Sequence, residues 1–452
     1  MNNEHDKKAI EKRIANLPKG YISKKRINGK ERFYLQWREG NKIKSKYIKT
    51  DELEAYKKAL EERKELEQMI YGLREGESAG MVAESEVGFE YNVYARRYLK
   101  WEDDVIGVIN GNREVSFTKP DYNPVVSAYT KGKSHWTRTE LQEFLAERIV
   151  SRDRRDIEKI LFKLGLSSYD IFEIAEKTKA INAKDMLWLA EKESDRMADA
   201  VSDVFDSVFR MKKDLEGDSV DTPEGYNIKR YGVYRGKYGI YKERIHPLST
   251  DIESEIAVYK LAKLMKVPCC RCYKVNEKQM FSVFEYDFIN EHIVHFRRLV
   301  SERGENELNN LISARPNYIA DFARMIALDF VTRQDDRHLS NIAVKIDDSG
   351  LESFYPLYDN GRSLFYEDTE ETVKKACKNI EEYATTFGPA GTYWDYIKEL
   401  SEMGISFSKL VNLDIGRDEI KELLVTSGFT GYKLSGGTEW IKRALDLLKK
   451  CK

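Results

Sequence analysis

Asp336, Asn341 and Asp359 are the residues of this 452-residue chain whose types and spacing suit chemistry. The first two close the run Asp336-Arg337-His338-Leu339-Ser340-Asn341, and Asp359 follows 18 residues after Asn341 in Tyr358-Asp359-Asn360-Gly361. Magnesium-dependent phosphoryl transfer uses such a set: one Asp orients the accepting hydroxyl, while an Asn and a second Asp hold the metal that bridges nucleotide phosphates. Five positions fit one tight loop, so Asp336 and Asn341 can face one cavity. The apolar runs 342–346 and 354–358 flank Asp347-Asp348-Ser349-Gly350, which reads as a hairpin turn that brings Asp359 back beside Asn341. The plain alternative is a solvated polar turn. Against it stands the preceding segment, where Tyr318, Phe322, Met325, Ile326, Leu328 and Phe330 recur at helical spacing, a largely apolar helix ending at Gln334.

A nucleotide needs a second wall, and the sequence offers one upstream. Residues 218–225 form a loop that ends in Gly225, and alternating strands over 226–234 and 238–245 follow it. A hairpin behind a Gly-containing loop can lay backbone N–H groups over phosphates. The chain has no G-x-x-x-x-G-K-[ST] and no G-x-G-x-x-G, so neither a P-loop nor a Rossmann fold is expected. Lys242 lies on the second strand, and an amphipathic helix opening after Asp251 carries Glu255. A strand lysine followed by a helix glutamate is the pair that positions nucleotide phosphates in kinases. Two further strands, 267–275 and 280–286, lead into Phe284-Glu285-Tyr286-Asp287-Phe288, where the backbone around Glu285 and Asp287 is expected to meet an adenine edge.

Composition sets the limits. The hydrophobic fraction of 41% and the charged fraction of 34% describe a globular chain with a heavily charged surface. No apolar run approaches the roughly 20 residues of a membrane span, and the N-terminus lacks a signal-peptide core, so cytoplasmic residence is the default expectation, with signal-less secretion left open. Three of the five cysteines crowd into Cys269-Cys270-Arg271-Cys272, too close for a disulfide framework, and read as buried strand residues.

The net charge of -1 is unevenly spread: residues 1–50 carry 15 Lys and Arg against 5 Asp and Glu. Residues 1–80 read as a basic module of three short strands and a charged helix, similar in pattern to the small DNA-binding arms of some integrases; the two readings of it are a DNA or RNA contact and a solvated basic sheet that packs on the rest of the protein. Residues 81–210 read as a mainly helical connector domain with a small sheet, including a hairpin over 105–118, an extended stretch through Pro120 and Pro124, and helices continuing from Trp188 to Phe209. The run Arg152-Asp153-Arg154-Arg155 reads as a surface helix start. Residues 211–290 and 291–452 then form the two halves of the site.

Together these elements resemble the HipA-like serine/threonine kinase family, in particular its CtkA-like bacterial subgroup. The resemblance rests on Phe117-Thr118-Lys119-Pro120, the loop 222–229 with Gly225 and Lys229, Lys242 with Ser254-Glu255, Asp336, His338 and Asn341, and Tyr358-Asp359. It implies an α+β, bilobal protein-kinase-like fold, with a small antiparallel-sheet lobe over 211–290 and a larger helical lobe over 291–452. It also implies ATP and Mg2+ as cofactors, Asp336 as the catalytic aspartate, Asn341 and Asp359 as metal ligands, and Lys229 and Lys242 on the nucleotide. Autophosphorylation in the phosphate loop at Ser219 or Thr222, a protein substrate and an antitoxin-like partner are further implications. His338 either stabilises transferring charge or hydrogen-bonds within the loop. Arg337 and Ser340 stand where many related loops have Gly and Lys, so the missing cation is expected from Arg337 or Lys345, and Asp336-Arg337-His338 also looks like a phosphoinositide kinase loop. A lipid or small-molecule kinase, and a nucleic-acid-binding protein with a degenerate kinase-like body, are the alternative functions.

Overall fold

The computed structural model describes residues 96–200, 228–287, 289–300, 307–385 and 391–451, together with Arg13, 17–19, 21–27, 30–39, 42–49, 51–60, 62, 63 and 66. The chain divides into two compact units, Met1–Ala95 and Arg96–Lys452. The fold is mixed α+β with several antiparallel sheets.

In the first unit, β1 (Tyr21–Ile27), β2 (Lys30–Glu39) and β3 (Lys42–Ile48) form an antiparallel sheet in the order β1-β2-β3. Alternation gives it two unlike faces. Leu35 and Ile48 are buried on one, and Lys46 on that same face donates to the Tyr56 hydroxyl at 2.8 Å, so the helical segment 53–60 packs there.

The larger unit begins with a five-stranded sheet in the order β7-β6-β5-β4-β8, from β4 (Arg97–Trp101), β5 (Asp104–Ile109), β6 (Val115–Phe117), β7 (His135–Trp136) and β8 (Leu187–Ala190). Two expectations are corrected here. Leu187–Ala190 is a strand paired with β4 instead of a helix start: all four residues are buried, and a short run that is apolar on both faces has no period to separate strand from helix. Pro124–Thr130 is a helix instead of extended chain, because Asn123 caps it, accepting from the Val126 N–H at 2.8 Å, and Pro124 takes the first-turn position where its missing N–H costs nothing.

A four-stranded antiparallel sheet follows in the order β11-β12-β10-β9, from β9 (Lys229–Tyr234), β10 (Lys237–Glu243), β11 (Cys272–Asn276) and β12 (Gln279–Val283). The Asp251–Met265 helix connects β10 to β11, and 11 of its 15 residues are buried, which is why it resists a simple amphipathic description. Gly239 on β10 is required by packing: a Cβ there would sit 2.0 Å from the Ser282 carbonyl oxygen and 2.8 Å from the Phe281 ring.

The remaining chain is mainly helical around the Ile319–Thr332 helix, whose residues 325–332 are all buried. The expected hairpin is present as β14 (Ala343–Asp347) and β15 (Glu352–Phe354), with Gly350 at φ +83° in its turn, and β13 (Glu291–His295) adds a third strand on the other side of β14. One apolar core runs from Leu99 in the five-stranded sheet to Leu448 in the last helix. Arg154, expected at the surface, is buried; it pairs with Asp156 and donates to the Lys229 carbonyl, anchoring the start of β9.

Candidate active site

Lys229 and Lys242 occupy directly opposed positions on β9 and β10. Like charges facing each other across strands repel, so a counter-ion between them is needed. Asp359 supplies it: its Oδ1 lies 3.1 Å from the Lys242 ammonium and its Oδ2 lies 3.2 Å from that of Lys229. Lys242 also donates to Glu255 Oε1 at 2.5 Å, and the Glu255 side chain is only 3% exposed. Burial would draw the Lys242 ammonium toward neutrality, but Asp359 and Glu255 hold its pKa well above the usual lysine range. Burial likewise pushes the Asp359 carboxyl up, and the two lysines outweigh it, keeping Asp359 ionised far below the ordinary aspartate value.

Asp359 has a left-handed backbone, φ +57°, a region Asp tolerates better than most residues. The turn is held by Gln334, fully buried at the end of the Ile319–Thr332 helix. Its Nε2 reaches the Asp359 carbonyl at 3.4 Å and its Oε1 accepts from the Asp336 N–H at 3.0 Å. Arg337 is buried beside it. Its guanidinium donates to both carboxylate oxygens of Asp329, to the Asn341 and Tyr358 carbonyls at 3.1 and 2.8 Å, and to Asn360 Oδ1 at 2.6 Å. One side chain therefore ties the helix, the loop and the strand return together. Despite burial, the partner Asp329 raises the Arg337 pKa, so the cation persists.

Within the loop, Asn341 Nδ2 donates to the Asp336 carbonyl at 2.8 Å, which leaves Oδ1 as the oxygen donor of the amide. His338 Nδ1 accepts from the Ser340 N–H at 3.2 Å, so Nε2 carries the proton in the neutral ring. Burial, and then the charge of Asp359, raise the pKa of Asp336, opposed by Arg362, whose Nη1 lies 3.6 Å from the Asp336 carboxylate. Burial also brings neighbouring Asp335 to about 6.

These groups line one cavity of about 730 Å³. Lys229, Lys242, Glu255, Asp336, His338, Asn341, Asp359 and Arg362 form its polar part, and Tyr231, Ile240, Val283, Phe284, Tyr286 and Tyr355 contribute apolar wall. Glu285 and Asp287 stand apart from it. Arg271 takes the Glu285 carboxylate at 2.6 and 2.7 Å, and the Glu285 N–H donates to the Tyr355 hydroxyl at 3.0 Å. The Asp287 N–H donates to Glu291 at 2.7 Å, while its carboxylate caps the turn at Ile289 and Asn290. Gly225, Ser219 and Thr222 lie outside the described residues. Of the two cations expected to replace the absent loop lysine, Arg337 is buried and Lys345 pairs with Glu291 at 2.6 Å, and neither lines the cavity. Arg362 does, three positions after Asp359. Sequence reasoning missed it together with Gln334 and Asn360, although the unbroken polar run Asp359-Asn360-Gly361-Arg362 is visible in the chain.

Asn341 Oδ1 and the Asp359 carboxylate are hard oxygen donors of the kind magnesium takes, which usually binds through one or two protein groups and completes its shell with phosphates and water. Among the described residues no cluster of three or more His, Cys, Asp or Glu is placed to hold a metal by itself. Cys269, Cys270 and Cys272 are free thiols; the latter two are buried. No described helix is long and apolar enough to cross a membrane.

Residues 3–58 match a family described as Domain of unknown function (DUF6788). No curated protein matches the chain in sequence. Among solved structures, the chain is similar to the Helicobacter pylori proinflammatory kinase CtkA, with 16% identity and a TM-score of 0.38 over 49% of this chain and 90% of that one. It is also similar to a chain of the Shewanella oneidensis toxin–antitoxin complex of HipA, HipB and operator DNA, with 15% identity and a TM-score of 0.46 over 79% of this chain and 100% of that one. HipA and CtkA also give their names to the family and subgroup that the sequence motifs resemble.

Proposed function

We propose that this protein is an ATP- and Mg2+-dependent serine/threonine protein kinase. The observation that carries the reading is the Lys242 ammonium, held between Glu255 and Asp359 on the wall of the cavity that also contains Asp336 and Asn341. In this reading residues 211–290 form the small lobe and 291–452 the helical lobe of a bilobal kinase, 81–210 is a connector, and 1–80 is an accessory module. The motif resemblance adds a toxin or effector type, an antitoxin-like partner and a cytoplasmic setting.

Glu255 fixes the direction of Lys242, which with Lys229 meets the phosphates. Asn341 and Asp359 hold the magnesium ion, which neutralises phosphate charge when bound. Asp336 accepts a hydrogen bond from the incoming hydroxyl and aims its oxygen at the terminal phosphorus, and its raised pKa suits a group that receives that proton. Arg362 is placed to balance charge near the transferring group, the role that a lysine at position 340 would otherwise serve. The apolar wall receives the base and excludes water from it.

Arg337 bears on the acceptor. It is buried in the Asp329 pair and so does not itself meet an acceptor, and the phosphoinositide-kinase likeness of the loop keeps a lipid as the alternative acceptor. The test of acceptor class is incubation with terminally labelled ATP, magnesium, a mixed protein fraction, phosphoinositide vesicles and a metabolite pool. Label in protein serine or threonine supports the proposal. Label confined to lipid or small molecules overturns it.

A further inference from the structure

Asp359 has both of its carboxylate oxygens in ion pairs, and the two ammonium groups that hold them are not equally tied. Lys242 also pairs with Glu255 at 2.5 Å, with side chains only 12% and 3% exposed. The ion pair that Lys229 makes among the described residues is with Asp359 Oδ2, at 3.2 Å. The backbone of Lys229 is pinned, because buried Arg154 donates to its carbonyl. The flexible four-carbon stem is therefore the part that moves, and its ammonium is the more readily exchanged of the two. A divalent cation that approaches either Asp359 oxygen meets a like charge already seated there. Nor does the polar part of the cavity attract one, since Lys229, Lys242 and Arg362 balance Glu255, Asp336 and Asp359.

We infer that Lys229 is a positioning residue that closes the metal position until a nucleotide's phosphates draw its ammonium away. The phosphates give Lys229 a second anion to pair with, and its departure leaves Asp359 Oδ2 and Asn341 Oδ1 as hard oxygen donors for the metal. Lys242 keeps its place, because Glu255 holds it independently of Asp359. The inference rests on the reading of Asn341 and Asp359 as the metal ligands. It makes the two ligands interdependent: bound nucleotide raises the affinity for metal, and by linkage metal raises the affinity for nucleotide by the same factor. Metal alone meets a closed position.

The test is equilibrium dialysis of the full-length protein against Mn2+, which takes the same oxygen ligands as magnesium, with and without the non-hydrolysable nucleotide AMP-PNP. In the wild type, AMP-PNP should raise the affinity for Mn2+ at least about tenfold, inside the roughly 5–150-fold range usual for linked sites. K229Q, which removes the charge and keeps most of the side chain, should bind Mn2+ without nucleotide at least about tenfold more tightly than the wild type. K229R should stay as closed as the wild type, and K229Q/D359N should lose the gain. A merely structural role for Lys229 would give weaker metal binding on substitution, not tighter. Thermal melts check that each variant is folded, and the wild-type titrations test the coupling without any variant. Equal affinity of the wild type and folded K229Q for Mn2+ alone, or Mn2+ retention in the wild type unchanged by bound AMP-PNP, overturns the inference and leaves the kinase reading standing. Failure of the wild type to bind AMP-PNP with Mn2+ present overturns both.

Discussion

Arg337 and Asp329 form a bidentate ion pair in the interior, with Nε–Oδ2 at 3.0 Å and Nη2–Oδ1 at 2.9 Å, and side chains 0% and 1% exposed. The pair joins the Ile319–Thr332 helix to the Asp336–Asn341 loop. The remaining guanidinium hydrogen bonds fix the carbonyls on either side of the site, so loop geometry depends on a residue that does not itself line the cavity.

Removing one member of such a pair leaves the other charged and buried. Arg337→Ala should therefore cost about 3–5 kcal/mol, read from the urea midpoint at constant slope. Arg337→Lys should recover little of it, because an ammonium cannot reproduce the planar fork that reaches Asp329, Asn360 and two carbonyls together.

Arg362 lowers the pKa of Asp336, against burial and the charge of Asp359, which raise it. Activity that needs ionised Asp336 should appear as pH rises through a midpoint above the ordinary aspartate value of 3.8. Arg362→Gln removes the lowering influence, so this acidic limb should move to higher pH, and turnover on the plateau should fall at least about tenfold. A kcat profile across pH reads both effects.

Asp335 bears on stability in the same region. Burial raises its carboxyl from 3.8 to about 6 in the folded state. The folded protein then holds this proton more tightly than the unfolded chain, so the contribution is fully present below 3.8 and is lost as pH rises through about 6. Asp335→Asn should flatten that part of the Tm-against-pH curve, and an unchanged curve would place the titration elsewhere.

Much of the site is legible in the sequence because it is local. Asp336 and Asn341 share one loop, the Asp347–Gly350 turn is marked by its residues, and Lys242 stands on a strand whose alternation is plain. What escapes notice depends on long-range packing. Nothing near Lys229 announces that β9 register sets it opposite Lys242, and Arg337 reads as an active-site cation until the buried Asp329 beneath it is seen. Leu187–Ala190 is misread as helix for a similar reason, since only its pairing with β4 distinguishes a strand buried on both faces.

Gly239 holds β10, and with it Lys242, against the Ser282 backbone. Gly239→Ala forces a Cβ into a contact of 2.0 Å that backbone cannot relieve by a rotamer change. Stability should fall by about 1–3 kcal/mol, measured by chemical denaturation, and ATP affinity should fall with it as the strand shifts.

Lys242 and Lys229 share Asp359 but differ in what else depends on them. Lys242→Ala leaves the buried Glu255 carboxylate unpaired, so the Tm should drop and the thermal shift produced by Mg2+ and ATP should disappear. Lys229→Ala leaves Asp359 paired with Lys242, and should weaken the nucleotide shift with a smaller loss of Tm.

Transfer of labelled phosphate from ATP by the purified chain, with Mg2+ and with EDTA, beside Asp336→Asn and Asp359→Asn, is the most direct measurement. The account predicts metal-dependent incorporation into protein by the wild type, and loss of at least about a thousandfold in each variant while both remain folded. Undiminished transfer by folded Asp359→Asn, or no ATP turnover by the wild type with a protein acceptor present, would contradict it.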